Sequence, residues 1–329
     1  NYYDSFHVFG IESHSIKITQ IDINRNYTTM PEFTIDRVTW KKYAERLLNQ
    51  ARNGIVKRRN QKSKRAIGTS NFLENAPTLY IEEDISLYIE AAQAFQICGD
   101  WIDAAEAYSQ AALMNGSELK QDEEAAILYT EAGLCAMKSD ANEGVNYFKK
   151  AVSQYCDCNK YDQAGRICKW IAESYEERQQ YKEAIEEYKM TMKYFQAKNI
   201  TYQALNCERK VAYLQYLVGE YNEASLLYKA IGMKDLDYNL TKYNAHNSFF
   251  KSALLLLALT IKDGAPYNFA NVDDNIKTSA AADFRYEISS SCDFIFNIVN
   301  ILRDDDISAT LDEFVDHLYD YNYLFPLDL

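Results

Sequence analysis

Proline and glycine are scarce in this chain, four and eleven among 329 residues. A β-rich fold with dense turns needs more of both, so the shortage points to long helices joined by short turns. Histidine is scarce too: only His7, His14, His246 and His317 occur, none in a nucleophile-like setting with a serine or cysteine. A triad is assembled in space, so sequence alone leaves that class open. Neither G-x-x-x-x-G-K-[ST] nor G-x-G-x-x-G is present, and no phosphate cradle is indicated. No apolar run approaches the ~18 residues that a membrane-spanning helix needs; the longest is Ala253–Thr260. No signal peptide is visible, and the chain opens on Asn1 rather than Met, which leaves room for a preceding piece.

The seven cysteines are an odd number and are scattered through helical segments. The closest pair, Cys156 and Cys158, has no second pair or histidine beside it. That spacing resembles neither a zinc site nor a disulfide framework, so reduced and mostly buried thiols of a cytosolic protein are expected. No metal or other cofactor is called for. Asp304, Asp305 and Asp306 invite a metal reading, but a helical D-D-x-x-D site would need an aspartate where Ser308 stands. Solvated or partner-binding acids are the expected role.

The apolar fraction of 47% is ample for a core. The net charge of −13 is unevenly placed. Residues 1–70 hold 13 of the 35 Lys and Arg against 6 of the 48 Asp and Glu, a balance of +7. The remainder then carries 22 against 42, a balance of −20. A basic end can meet an acidic surface, and an acidic body can meet a basic one. The same acidity disfavours nucleic acid, whose phosphates require clustered cations.

The dominant signal is a period of 20 residues. Trp101 precedes Ala104 by three positions, and the pairs Tyr161 with Ala164, Tyr181 with Ala184 and Tyr221 with Ala224 repeat the pattern. Weaker residues fill the other slots: Ala125 one position late, Ala141 with Gly144, and Thr201 with Ala204. Seven residues on, Tyr108, Phe148, Tyr188 and Tyr228 form a second series on the same helical face. Each slot follows a break, at Gly99-Asp100, Ser139-Asp140, Asn159-Lys160, Gln179-Gln180 or Gly219-Glu220. One unit is therefore a helix of roughly 16 residues, about 24 Å long, plus a short turn. Two units make a helical hairpin. Small alanines beside large aromatics let neighbouring helices approach, so these tyrosines and tryptophans are expected in the core rather than in a ligand box.

The expected fold class is all-α: a tetratricopeptide-like (TPR-like) α-solenoid, a twisted sheet of antiparallel helical hairpins, closed by a C-terminal helical bundle. The strict 34-residue tetratricopeptide spacing is absent. Helices are expected near 39–57, 83–98, 101–115, 121–138, 141–157, 161–178, 181–198, 201–218, 221–231, 242–260, 284–303 and 308–320. Residues 1–38 form an extension of unassigned role, 39–260 the repeat domain with a basic and apolar loop at 57–82, and 261–329 the C-terminal bundle. Residues 262–283 read as a loop, with or without one short helix.

The loop at 57–82 carries Lys57, Arg58, Arg59, Lys62, Lys64 and Arg65, followed by Ile67, Gly68, Phe72 and Leu73. Cations beside an apolar tip suit a membrane surface. Anionic lipid attracts each nearby cation by about 1 kcal/mol, and each inserted large apolar side chain adds up to roughly 1.5–3 kcal/mol. The other reading packs Phe72 and Leu73 on the first helices.

Several segments resemble a known family. Tyr88–Phe95 (YIEAAQAF), Gly99–Ala105 (GDWIDAA), Tyr129–Gly133 (YTEAG), Ile171–Glu176 (IAESYE) and Lys210–Tyr213 (KVAY) are similar to the soluble NSF attachment proteins, or SNAPs. The stretch Lys242–Leu254 (KYNAHNSFFKSAL) is the most specific and is closest to the alpha type. The likeness covers about 39–320. It implies an adaptor without a catalytic site. Several copies wrap a SNARE four-helix bundle (syntaxin-type and other SNAREs) and recruit the hexameric AAA+ ATPase NSF, which pulls the bundle apart. That activity is cytoplasmic and peripherally associated with membranes.

Carried over by position, the resemblance puts SNARE-facing cations at Lys138, Lys160, Arg166, Lys210 and Lys251. His246 and Asn206 stand where the family has lysines. Five exposed ion pairs at about 0.2–1 kcal/mol each give roughly 1–5 kcal/mol per copy, enough only when copies act together. The family's membrane loop falls on Ile67–Leu73, next to Lys64 and Arg65. Its ATPase-contacting acids fall near Asp304 and Asp305, and its stimulatory C-terminal leucine corresponds to Leu329; the closing stretch Phe325–Leu329 holds that leucine with one acid, so either the family's acidic tail is missing from this chain or ATPase stimulation differs. Two rivals remain: a generic TPR-like scaffold for another helix or peptide, and a helical-array enzyme with a pocket at Asp304 and His317.

Overall fold

The computed structural model describes residues 37–65, 76–239, 241–263 and 267–303. Among these residues there are thirteen α-helices and no strand. They are α1 (Arg37–Arg65), α2 (Ala76–Cys98), α3 (Trp101–Met114), α4 (Asp122–Met137), α5 (Ala141–Asp157), α6 (Tyr161–Glu177) and α7 (Tyr181–Ala197). There follow α8 (Thr201–Leu217), α9 (Tyr221–Leu236), α10 (Ala245–Asp263), α11 (Ala270–Ala282), α12 (Phe284–Glu287) and α13 (Ser290–Arg303).

The 20-residue register is the register of helix starts. Trp101, Ala141, Tyr161, Tyr181, Thr201 and Tyr221 are each the first residue of a helix. Most of the reversals share one geometry. Gly99, Asn159, Gln179, Asn199 and Gly219 have φ between 56° and 83°. The N–H after each bonds to a carbonyl five residues back, as in Asp100 to Phe95 at 2.9 Å and Lys160 to Tyr155 at 2.8 Å. This Schellman geometry satisfies orphan carbonyls at the helix end and turns the chain sharply. Glycine and asparagine tolerate the left-handed conformation, which accounts for their recurrence at the breaks.

The late slot at Ala125 also has a cause. A π-helical turn, Asn115–Leu119, follows α3, and left-handed Lys120 closes it. A π-turn accommodates an extra residue, so α4 begins at Asp122, one position behind the register. Helix α4 is correspondingly one residue shorter than α5, and α5 is back in step.

Ala104, Ala164, Ala184, Ala204 and Ala224 are all buried, and so are Tyr108, Phe148, Tyr188 and Tyr228 seven positions into the odd-numbered helices. Small and large residues thus interlock across successive helices, as expected of a core. Glycine permits the closest approach: a Cβ on Gly133 of α4 would run into the Phe148 ring of α5. Linked apolar clusters run along the stack, and the last joins α10 to α11, α12 and α13.

The structure corrects several helix boundaries. Residues 57–65 and 76–82, expected as loop, are helical: α1 runs on to Arg65 and α2 begins at Ala76. The basic run contains no glycine or proline to stop a helix, and Pro77 stands in the first turn of α2, where its missing N–H costs nothing. An ion pair between Arg58 and buried Asp84 ties the two helices together. Helix α9 continues to Leu236 rather than 231. The short helix left open in the 262–283 region is the 13-residue α11, and the expected 284–303 helix divides into α12 and α13. The expected helix at 308–320 lies outside the described residues.

Candidate partner-binding surface

Ion pairs that skip a helix reveal two layers. On the even-numbered layer, Lys160 ahead of α6 meets Glu123 of α4 at 3.2 Å, and Lys210 of α8 meets Glu176 of α6 at 2.7 Å. On the odd-numbered layer, Lys149 of α5 meets Glu187 of α7 at 3.2 Å, and Arg52 of α1 meets Glu106 of α3 at 4.0 Å. Arg166, Lys210, His246 and Lys251 lie on α6, α8 and α10, and Lys160 pairs with α4, so these five share the even layer; Lys138 lies in the turn between α4 and α5, against the odd-numbered α3.

Their states differ. Lys160 and Lys210 are paired with acids of the same layer. Lys138 caps α4 and lies 3.7 Å from the centroid of Trp101. Lys251 lies 5.7 Å from the Tyr228 ring, whose hydroxyl burial pushes up to about 12. That ring is a neutral platform for a cation. Arg166 is exposed on α6, and neither it nor Lys251 has an ion-pair partner among the described residues. His246 is exposed in the first turn of α10.

Helices α8, α9 and α10 enclose an open groove of about 470 Å³ that brings Lys210 and Lys251 together with Asn206. Tyr213, Asn247 and Arg209 also line it, and sequence reasoning passed over all three. A signal for Tyr213 and Asn247 was present. Asn206, Lys210 and Tyr213 recur at i, i+4 and i+7 on α8, and Asn244, Asn247 and Lys251 at i, i+3 and i+7 around α10, which makes two polar stripes.

Arg209 faces the groove but is already committed. It pairs with the fully buried Asp235 of α9, which also accepts from Ser248 at 3.5 Å. The neighbouring residues form a reciprocal pair, with Lys234 of α9 donating to Glu208 of α8 at 2.5 and 2.7 Å. These pairs tie α8 to α9; of the groove's other cations, Lys210 is held by Glu176 and Lys251 has no ion-pair partner among the described residues.

All seven cysteines are free thiols. Burial pushes Cys135 and Cys207 up to about 11 and Cys168 up to about 12. These three are packing residues rather than nucleophiles at neutral pH. Among the described residues no cluster of three or more His, Cys, Asp or Glu could hold a metal ion, and no helix is long and apolar enough to cross a membrane. Lys64 and Arg65 belong to the last turn of α1. Ile67, Phe72, Leu73, Asp304, Asp305, His317 and Leu329 lie outside the described residues.

A family model described as "Soluble NSF attachment protein, SNAP" matches residues 50–329. An alpha-soluble NSF attachment protein of Homo sapiens is 32% identical over 175 residues, which are 53% of this chain and 59% of that protein. A beta-soluble NSF attachment protein of Bos taurus is 31% identical over 175 residues, 53% of this chain and 58% of that one. An alpha form of Vitis vinifera is 29% identical over 177 residues, covering 54% and 61%. The matched stretch thus spans about three fifths of the length of these curated relatives.

Proposed function

The chain belongs to the soluble NSF attachment protein family, and from that premise we propose that it is an adaptor that binds SNARE four-helix bundles and recruits the NSF ATPase to take them apart. The observation that carries the proposal is the shared layer of Lys160, Arg166, Lys210, His246 and Lys251, with Lys210 and Lys251 in one groove and Lys138 at the neighbouring α4–α5 turn. A four-helix bundle presents repeating acids at helical spacing, and cations spread along stacked helices suit such a rod-like partner. Individual exposed pairs contribute only about 0.2–1 kcal/mol, so several copies acting on one bundle supply the affinity.

In this reading the protein positions a substrate for a motor and performs no chemistry of its own. The region around Lys64, Arg65, Ile67, Phe72 and Leu73 makes a peripheral, reversible contact with cytoplasmic membrane surfaces. Asp304, Asp305 and Leu329 form the end that meets the ATPase. The testing experiment is disassembly of a purified SNARE complex by the ATPase and ATP, with and without this protein. Stimulated disassembly is expected. Salt-sensitive SNARE binding without stimulation would leave a SNARE-binding scaffold, and no binding at all would favour a TPR-like scaffold for a different helix or peptide.

A further inference from the structure

Leu226, Ala230 and Met233 recur at i, i+4 and i+7 along α9 and so share one stripe of the helix. The stripe is open to solvent: Leu226 is 60% exposed and Met233 48%. It runs about 10 Å, two helical turns at 1.5 Å per residue. Leu226 and Ala230 form one wall of a groove of about 450 Å³, Met192 of α7 stands on the other wall, and Val211 of α8 and Leu227 lie beneath. The groove opens on the odd-numbered layer, whereas the predicted SNARE-facing cations other than Lys138 share the even one. Methionine and leucine walls of this kind adapt to apolar side chains at helical spacing.

The groove is also polarised. Helices α7 and α9 run parallel, because each is joined to α8 by one short reversal. Glu183, Glu186 and Glu223 lie toward their N-terminal ends and outnumber Lys182 there, Lys189 stands midway along α7, and Lys193 lies toward its C-terminal end. Glu223 and Lys189 line the groove itself. Lys189 shares its charge with Glu186 at 2.8 Å, while Glu223 and Lys193 have no ion-pair partner among the described residues. Helices ordinarily carry acids in the first turn and cations in the last. Such a helix laid antiparallel to α7 and α9 meets opposite charge at both ends, and laid parallel it meets like charge at both.

We propose that this groove docks one amphipathic helix of a partner protein, antiparallel to α7 and α9, with its apolar residues on Leu226, Ala230 and Met192. Its acidic first turn lies at Lys189 and Lys193, and its basic last turn at Glu223. The site is separate from the SNARE-facing layer and gives the adaptor a second face, able to hold a further protein while a bundle is bound.

The test uses the full chain and two labelled synthetic helical peptides of about 16 residues. Both carry leucines at i, i+4, i+7 and i+11. One has glutamates in the first turn and lysines in the last, and the other has them exchanged. Fluorescence anisotropy is expected to show the first peptide binding at least about fivefold more tightly than the second. Leu226→Glu is expected to weaken it by about tenfold or more, and Glu223→Lys to narrow or reverse the preference. Tyr202→Ser, an exposed position on α8, should change nothing. Leu226 is exposed, so circular dichroism should report an unchanged fold for its variant. Equal binding of the two peptides, binding indifferent to Leu226→Glu, or no peptide binding would overturn the proposal. So would sedimentation showing a dimer that depends on Leu226, which would assign the face to a second copy.

Discussion

Lys210 of α8 donates to Glu176 Oε1 of α6 at 2.7 Å, while the buried Tyr188 hydroxyl donates to the other carboxylate oxygen at 2.8 Å. Glu176 therefore holds in reserve one of the cations assigned to the partner-facing layer, whereas Arg166 of the same layer has no such competitor. Arg166→Ala is expected to weaken binding to an acidic SNARE bundle by up to about 1 kcal/mol, and Lys210→Ala by less. Glu176→Gln should release Lys210 and tighten binding. Titration calorimetry at low and high salt reads all three, and each effect should shrink as salt rises. A larger loss for Lys210→Ala than for Arg166→Ala would contradict this ranking.

The two ion pairs between α8 and α9 should differ in what they contribute to stability. Asp235 is fully buried, and its Arg209 partner is largely shielded. Arg209→Met would strand a buried carboxylate and is expected to cost about 3 kcal/mol. Glu208 is also buried, but Lys234 is half exposed and water replaces it readily. Lys234→Met is expected to cost about 1 kcal/mol or less. Urea unfolding followed by circular dichroism measures the difference, and equal costs would show that Asp235 finds another partner.

The repeat was legible because its cause is local. A left-handed turn residue, a helix start and a buried alanine three positions later all fall within a few residues, so Asn159, Tyr161 and Ala164 announce one another. The one-residue slip at Ala125 was visible as well, although only the π-turn at Asn115–Leu119 explains it. What escaped had longer-range causes. The extent of α11, left open as one short helix, depends on packing against α10, with Val272 and Ile276 in the shared C-terminal core. The continuation of α1 is accompanied by an ion pair between residues 26 positions apart in the chain, Arg58 and Asp84. For the candidate surface the resemblance named cations but could not show their pairing, because Lys210 and Glu176 belong to different repeat units.

Gly133 and Phe148 offer a direct test of the interlocking core. The Phe148 ring occupies the space that a Cβ on residue 133 would take. In isolation Gly133→Ala should favour α4 by roughly 1 kcal/mol, but overpacking against a buried ring costs about 1–3 kcal/mol. The net expectation is destabilisation by about 1 kcal/mol. Adding Phe148→Leu to Gly133→Ala should cost less than Phe148→Leu does alone, because the inserted methyl gains room. A double-mutant cycle by denaturant unfolding measures that coupling, and additive effects would mean that the two helices shift apart freely.

Asp283 gives the C-terminal core a dependence on acid. Its side chain is almost entirely buried, caps α12 through the Arg285 N–H at 3.1 Å, and accepts from the Arg285 guanidinium at 2.8 and 2.9 Å. Burial alone would raise its pKa, but the paired guanidinium outweighs burial and holds the carboxyl below the usual aspartate value. A depressed carboxylate contributes stability that is complete above its unfolded value of about 3.9 and is lost as pH falls through the folded value. Asp283→Asn is therefore expected to lower stability at pH 7 on the order of 1 kcal/mol, allowing for the water that reaches Arg285. The gap between the two proteins should hold from pH 7 to about pH 5 and close as the pH falls below about 4. Urea unfolding at stepped pH provides the measurement. A gap that persisted at the acid end would assign the contribution to the shape of the cap rather than to the charge of Asp283.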